Sequence, residues 1–136
     1  MLRIAFKKGY KYQLEGEFTL RTPIIPARGI ATDYIQLAPD GTLMLARSYA
    51  WDGPSGVPDV ASFMRASLVH DALYQLMRHD LLDPDNYRKP ADQLMRQLCG
   101  EDGMNPIAAG AAYACVRWLG DHHARRESRK PLLFAP

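Results

Sequence analysis

The chain of 136 residues is 47% hydrophobic and 24% charged, which is the size and composition of one ordinary globular domain. Its 17 Lys and Arg nearly balance its 15 Asp and Glu. Because both signs are interleaved along the chain, no strong electrostatic field for nucleic acid is expected. No stretch reads as a signal peptide or as a transmembrane helix. We therefore expect a soluble single domain that is synthesised in the cytoplasm and has no nucleic-acid partner.

The first third of the chain carries strand signals. The stretch at 10–21 alternates partly between apolar and polar residues, and 34–37 faces 42–46 across the turn sequence AlaProAspGly. This arrangement predicts a hairpin. Between these segments, 22–29 is a proline-stiffened connection on an extended path. A loop rich in Gly and Pro then follows at 49–59.

After this loop the apolar period changes from two to about 3.6, which predicts a first helix up to Met77. A second helix is expected at 88–99 with Pro90 in its first turn, and a third from Asn105 to about His123. The predicted fold class is therefore α+β. A small antiparallel sheet or hairpin is followed by three helices, the first two of which form an antiparallel pair.

Within this single domain of residues 1–136 we expect a strand-rich part, a loop, a helical part and a short tail, at 1–48, 49–59, 60–125 and 126–136 respectively. The two cysteines, Cys99 and Cys115, each fall on a predicted helix and form no CxxC pair. This placement indicates reduced thiols in the core and no zinc site.

The first helix carries a His-Asp pair with features of a catalytic base. His70 shares a helix face with apolar residues, so its ring is expected to point into or along the core. Tyr74 lies one turn further on. In an antiparallel pair of helices, Asp92 on the second helix can face His70. A carboxylate bonded to one imidazole nitrogen fixes the tautomer and leaves the other nitrogen as a base.

Asp71 is rotated by about 100° from His70, toward the side that the preceding loop can cover. A partly buried carboxylate needs a positive partner. A calcium ion would supply one, because calcium takes carboxylate and backbone carbonyl oxygens. The loop sequence AspGlyProSerGly at 52–56 is of the kind that turns carbonyls inward. These parts are consistent with metal-assisted hydrolysis of an ester.

Each of these residues also has a purely structural explanation. A histidine on an apolar helix face is commonly a satisfied core residue. Asp92 suits the first turn of a helix, Tyr74 can bridge core and surface, and the Gly/Pro loop can be a structural turn. Only the combined spacing of the loop, the His-Asp helix and Asp92 makes the catalytic explanation as strong as the structural one. Both explanations stay open.

Three runs, AWDGPSG at 50–56, FMRASLVHDALYQLMR at 63–78 and RKPADQLMR at 88–96, together resemble an uncharacterised family of bacteriophage and prophage proteins that is known as a domain of unknown function. The resemblance extends from about Tyr10 to the third helix. It implies a phage origin, synthesis in the host bacterial cytoplasm and association with the virion. It implies no particular activity.

The order of Gly-rich loop, HisAspxxTyr helix and AlaAsp helix is also similar to phospholipases A₂, above all to the compact type found in parvovirus capsids. This second resemblance covers residues 49–99. It implies that His70 activates water, that Asp71 binds calcium, and that Asp92 orients His70 with help from Tyr74. It also implies that the remaining calcium ligands are the backbone carbonyls of Trp51, Gly53 and Ser55.

Two functions follow from these observations. The first is a phage-encoded, calcium-dependent hydrolase of phospholipase A₂ type that acts on phospholipid at a membrane surface. The second is a non-enzymatic virion or assembly protein, a tail or capsid accessory, in which the His-Asp cluster is structural and the partners are other virion proteins. An HD-type phosphohydrolase is disfavoured because no histidine precedes His70. Trp51, Pro54 and Val57 are expected to form an exposed apolar patch for a membrane or a protein.

Overall fold

A computed structural model of the chain describes residues 6–7, 12–52 and 61–125. The described residues fall into two compact units, a strand unit that ends at Asp52 and a helical unit within 61–125. Antiparallel strands come first along the chain and helices follow, so the predicted α+β class is confirmed.

The described part of the strand unit contains seven short strands: β1 (Phe6–Lys7), β2 (Tyr12–Leu14), β3 (Phe18–Arg21), β4 (Ile30–Ala31), β5 (Ile35–Leu37), β6 (Thr42–Leu45) and β7 (Ala50–Trp51). They form two antiparallel sheets. One has the order β1-β2-β7 and the other the order β3-β6-β5-β4.

The predicted hairpin is confirmed as β5 and β6. Ile35 lies opposite Leu45 and Leu37 opposite Leu43, and all four side chains are fully buried. These residues alternate with more exposed ones along each strand, which is the pattern of a sheet that buries one face. The turn needs Gly41, because its φ of 92° is unfavourable for other residues and a Cβ there would meet a backbone carbonyl oxygen.

The strand predicted at 10–21 is instead two strands that belong to different sheets. Two exposed glutamates around the half-buried Gly16 separate β2 from β3, and both residue types disfavour strand conformation. The predicted loop at 49–59 also begins with a strand. Its Trp51 pairs with Tyr12, with ring centroids 5.4 Å apart.

The prediction of an exposed patch around Trp51 is wrong, because this side chain is only 4% exposed. The other members of that patch, Pro54 and Val57, lie outside the described residues.

The described part of the helical unit consists of α1 (Ala61–Arg78), α2 (Pro84–Glu101), α3 (Pro106–Leu119) and the single turn α4 (Asp121–Ala124). Side-chain bonds link the start of α1 to the end of α2 and the middle of α1 to the middle of α2. The two helices therefore run antiparallel, as predicted. None of the described helices is long and apolar enough to cross a bilayer.

Two helix boundaries differ from the sequence prediction. Helix α2 begins at Pro84, where the side chain of Asp83 accepts a hydrogen bond from the helix backbone, so Pro90 lies inside the helix and not in its first turn. An acidic cap followed by proline is a helix start signal. Helix α3 ends at Leu119, and Gly120 separates it from α4, so the predicted continuous helix to His123 is interrupted.

The predicted core thiols are half correct. Cys99 on α2 is buried, whereas Cys115 on α3 is exposed.

Candidate functional site

The centre of the helical unit is a buried carboxylate, that of Asp92 on α2. It has no exposed surface. It lies beside the apolar stripe of α2, which packs its buried side chains against α1: Ala91, Leu94, Met95 and Leu98. A buried carboxylate is stable only with several hydrogen-bond or charge partners, and those partners come from three helices.

One carboxylate oxygen of Asp92 contacts two side chains of α1. Oδ1 lies 2.7 Å from Nε2 of His70 and 2.7 Å from Oη of Tyr74. The two rings are one helical turn apart, with centroids separated by 4.1 Å. The structure thus brings together the three residues that the sequence singled out as base, orienting carboxylate and tyrosine.

The tautomer of His70 follows from this contact. An ionised carboxylate only accepts hydrogen bonds, so Nε2 carries the hydrogen and donates it to Asp92. In the neutral ring, Nδ1 then holds the free lone pair. Within the described part of the chain, the hydrogen bond that His70 makes is the one through Nε2. The arrangement is that of a histidine whose orientation is held through Nε2, which leaves Nδ1 as the ring atom that can accept a proton.

The other oxygen of Asp92 is held by two arginines. Arg117 on α3 donates from Nη1 to Oδ2 at 2.8 Å, and Nη1 of Arg88 lies 3.7 Å from the same oxygen. Arg88 also donates to the backbone carbonyls of Val116 and Arg117 at 3.1 and 3.2 Å. These carbonyls belong to the last turn of α3, and that of Val116 also accepts from the backbone nitrogen of Gly120 at 2.8 Å. Arg88 therefore caps α3 while it lies beside Asp92.

These contacts set the ionisation of the site. Burial by itself raises the pKa of Asp92, but hydrogen bonds from His70, Tyr74 and Arg117 outweigh it and lower the pKa below its ordinary value. Burial, together with the nearby charge of Asp92, raises the pKa of Tyr74. At neutral pH the cluster therefore holds an ionised carboxylate and a protonated phenol.

A close approach of the backbone at Gly120 is part of the same site. A Cβ on this residue would stand 2.7 Å from Oη of Tyr74 and would also meet the carbonyl oxygen of Val116. Only glycine permits this approach. The break between α3 and α4 thus coincides with the position where the chain passes the Tyr74 hydroxyl.

A second buried ion pair joins the first turns of α1 to the C-terminal end of α2. Arg65, 5% exposed, donates from Nε and Nη2 to the two carboxylate oxygens of Asp102, each at 3.0 Å. It also donates to Glu101 at 3.0 Å. Burial disfavours the charged guanidinium, but these hydrogen bonds outweigh it and raise the pKa of Arg65. Asp102 follows the last residue of α2, so this pair ties the C-terminal end of that helix to α1.

The structure describes two of the four proposed calcium ligands, Asp71 and Trp51. Asp71 follows His70 on α1, is partly buried and has an interaction of its own. Gly53 and Ser55 lie outside the described residues, and Trp51 belongs to the strand unit. The described ranges contain no group of three or more His, Cys, Asp or Glu side chains placed to hold a metal. Calcium also takes backbone carbonyl oxygens, and the loop that would supply them lies outside the described residues, so the calcium site stays a prediction.

Three arginines of these clusters are not among the site residues predicted from the sequence. The signal for Arg88 was available, since it precedes Asp92 by four residues on the same helix. Arg65 and Arg117 had no comparable signal, because each meets acidic residues on another helix, and that depends on the rotation of whole helices against each other.

Comparisons of this chain with protein-family models, with curated proteins and with solved structures find no match.

Proposed function

We propose that this chain is a phage-encoded ester hydrolase of phospholipase A₂ type in which His70 is the general base. The observation that carries the proposal is the pair of 2.7 Å contacts from His70 and Tyr74 to one oxygen of Asp92. A base must be held in one tautomer and one orientation to take a proton efficiently. The phage origin rests on the sequence resemblance alone.

In the proposed reaction, Nδ1 of His70 takes a proton from a water molecule. The resulting hydroxide forms a bond to the ester carbonyl carbon. When the tetrahedral intermediate collapses, the carbon–oxygen bond to the alcohol breaks and His70 returns its proton to the leaving oxygen. Asp92 stays ionised, since its pKa is lowered, and so stabilises the imidazolium that forms in between. Tyr74 keeps the carboxylate in place.

The proposed substrate is a phospholipid, and the proposed cofactor is calcium bound by Asp71 and loop carbonyls. Both come from the resemblance in the order of loop, HisAspxxTyr helix and AlaAsp helix. Of the proposed calcium ligands, the structure describes Asp71 and Trp51. The experiment below therefore measures hydrolysis both with calcium and with a chelator.

The alternative function is that of a non-enzymatic virion or assembly protein that binds other virion proteins. A specific observation favours it: the carboxylate that contacts His70 is also bound by Arg117 from α3 and lies beside Arg88. A buried carboxylate with four partners on three helices is what a structural cluster requires. On this alternative, His70 is one of several donors that satisfy Asp92.

The deciding experiment measures fatty-acid release from phospholipid vesicles with calcium and with a chelator. It compares the native chain with His70→Gln and with a matched control, His122→Gln, which replaces an exposed histidine of α4. Loss of a general base lowers the rate about 10²–10⁴-fold, so His70→Gln should lose activity while His122→Gln keeps it. Asp71→Asn should lose the calcium response if Asp71 is a ligand.

Far-UV circular dichroism and thermal unfolding of the same variants separate catalysis from folding. A folded but inactive His70→Gln variant supports the proposal. A native chain without any hydrolysis, in calcium or in chelator, leaves the structural alternative.

A further inference from the structure

Helix α3 turns an uninterrupted apolar surface to solvent. At 100° per residue the exposed side chains that follow Pro106 on this helix cover an arc of about 140°. These exposed residues are all apolar: Ile107, Ala108, Ala111, Ala114, Cys115, Trp118 and Leu119. We call this surface the α3 face.

The exposure of the large side chains on the α3 face is unusual. Ile107, Trp118 and Leu119 are 83%, 86% and 67% exposed. Single exposed apolar residues are common on proteins, but a contiguous apolar patch marks an interaction site. A tryptophan alone offers about 150–250 Å², so the whole face offers on the order of 500 Å².

Four residues of the α3 face form a seam that is symmetric along the helix. They are Ile107, Ala111, Ala114 and Trp118, at intervals of four, three and four positions. This spacing is the one by which a helix packs along a partner helix. The sequence of intervals reads the same in both directions, with large side chains at the ends and small ones in the middle. Such a seam is self-complementary when a second copy is turned by 180°.

We propose that the α3 face is an interface between two copies of this chain, paired through antiparallel α3 helices. Ile107 of each copy then packs against Trp118 of the other, and Ala111 against Ala114. The small central residues let the helix axes approach to the short end of the usual 8–10 Å range. Two copies would together bury on the order of 1,000 Å², the area that a specific interface must reach. The contact is isologous and closes on itself.

A second copy fits this face better than a lipid surface does. Membrane-surface helices carry Lys and Arg on the face opposite the apolar one. On α3 the basic residue is Arg117, which is bonded to Asp92. Beyond α3, Arg125 is bonded to Asp85 and Asp121. Arg117 and Arg125 are thus paired with acidic partners, and the α3 face itself carries no charge that would repel a second copy.

Sedimentation equilibrium across a wide range of protein concentration tests the proposal on the full chain. The native chain should dimerise, and Ile107→Glu or Trp118→Lys should each weaken the dimer about tenfold or more. Both positions are highly exposed, so far-UV circular dichroism should be unchanged. A control substitution, Leu81→Lys, changes an exposed apolar residue outside α3 and should leave the dissociation constant unaltered.

Two double variants test the antiparallel pairing. Ile107→Glu with Trp118→Lys places opposite charges against each other at both ends of an antiparallel dimer, whereas Ile107→Lys with Trp118→Lys places like charges there. The first should dimerise more tightly than the second. Equal dissociation constants for the two would overturn the antiparallel pairing. A native chain that stays monomeric overturns the proposal, and a monomer that binds anionic phospholipid vesicles would assign the α3 face to membranes instead.

Discussion

Replacing Asp92 by Asn tests how the helical unit is held together. The amide has nearly the same size as the carboxylate, so the packing of α2 is preserved. The negative charge is lost, however, and Arg88 and Arg117 then lack their shared buried counter-charge. The amide nitrogen is also a donor and cannot accept the hydrogen bonds that the carboxylate oxygen accepted.

The size of the effect follows from burial. Asp92 is fully buried, and the side chains of Arg88 and Arg117 are 12% and 30% exposed. Breaking a buried ion pair by removing one partner costs about 3–5 kcal/mol. The partial exposure of Arg117 lets water compensate in part, so we expect a loss of about 3 kcal/mol in the free energy of unfolding. Since small domains are stable by about 5–15 kcal/mol, this is a large fraction of the total.

Urea unfolding followed by far-UV circular dichroism measures this loss. The matched control is Asp121→Asn, which removes a carboxylate that is 53% exposed and bonded to Arg125 at 2.9 Å. An exposed ion pair contributes little, so the control should change the stability far less. Equal losses in the two variants would refute the argument from burial.

The stabilities of the native chain and of Asp92→Asn should depend differently on pH. The pKa of Asp92 in the folded chain lies below the ordinary value of 3.8, so the group stabilises the fold fully above that value. This stabilisation is lost as the pH falls through the folded-state pKa. The stability difference between the native chain and Asp92→Asn should therefore be constant around neutral pH and shrink below about pH 4. Urea midpoints over an acid pH series measure it.

Three further outcomes are expected. Gly120→Ala should lower the free energy of unfolding by about 1–3 kcal/mol in thermal unfolding, because the new methyl group crowds the hydroxyl of Tyr74. Arg65→Met should lower it by about 3–5 kcal/mol in urea unfolding, since its acidic partners on α2 lose their cation. At a dilution that keeps the chain monomeric, a thiol reagent should label Cys115 rapidly in the folded chain and Cys99 only after unfolding, because Cys99 is buried and its pKa is raised to about 11. Labelling of both thiols at equal rates in the folded chain would contradict this last expectation.

The parts of the fold that the sequence predicted are those governed by local periodicity. The hairpin at β5 and β6 shows the period of two on both sides of a turn that needs Gly41. The contact between His70 and Asp92 followed from helical spacing and from the short connection between two helices. Local rules do not predict how α3 is rotated against α2, and that rotation is what brings Arg117 to Asp92 across 25 positions of sequence.

The start of α2 was missed for a different reason. Asp83 and Pro84 carry a cap and a proline, the same signal that located the start of α3 at Asn105. The turn residues at 79–86 predict a connection there instead. Pro90 then predicts a later helix start, because proline is tolerated in a first turn. Tertiary packing of α2 against α1 retains the helix through Pro90 in spite of the lost backbone donor.

The two candidate functions depend on different contacts of Asp92, and each set of contacts uses its own carboxylate oxygen. Oδ1 serves His70 and Tyr74, while Oδ2 serves Arg117 and lies beside Arg88. A carboxylate that orients a base must itself be immobile, and bonds to Oδ2 supply that immobility. A structural cluster is therefore no argument against catalysis at this position. The two functions differ instead at Nδ1 of His70, which a structural role leaves without a task and which the proposed hydrolysis requires. Asp92→Asn cannot distinguish the two functions, because it changes the contacts of both carboxylate oxygens. His70→Gln can, because it removes Nδ1, the atom at which the two functions differ.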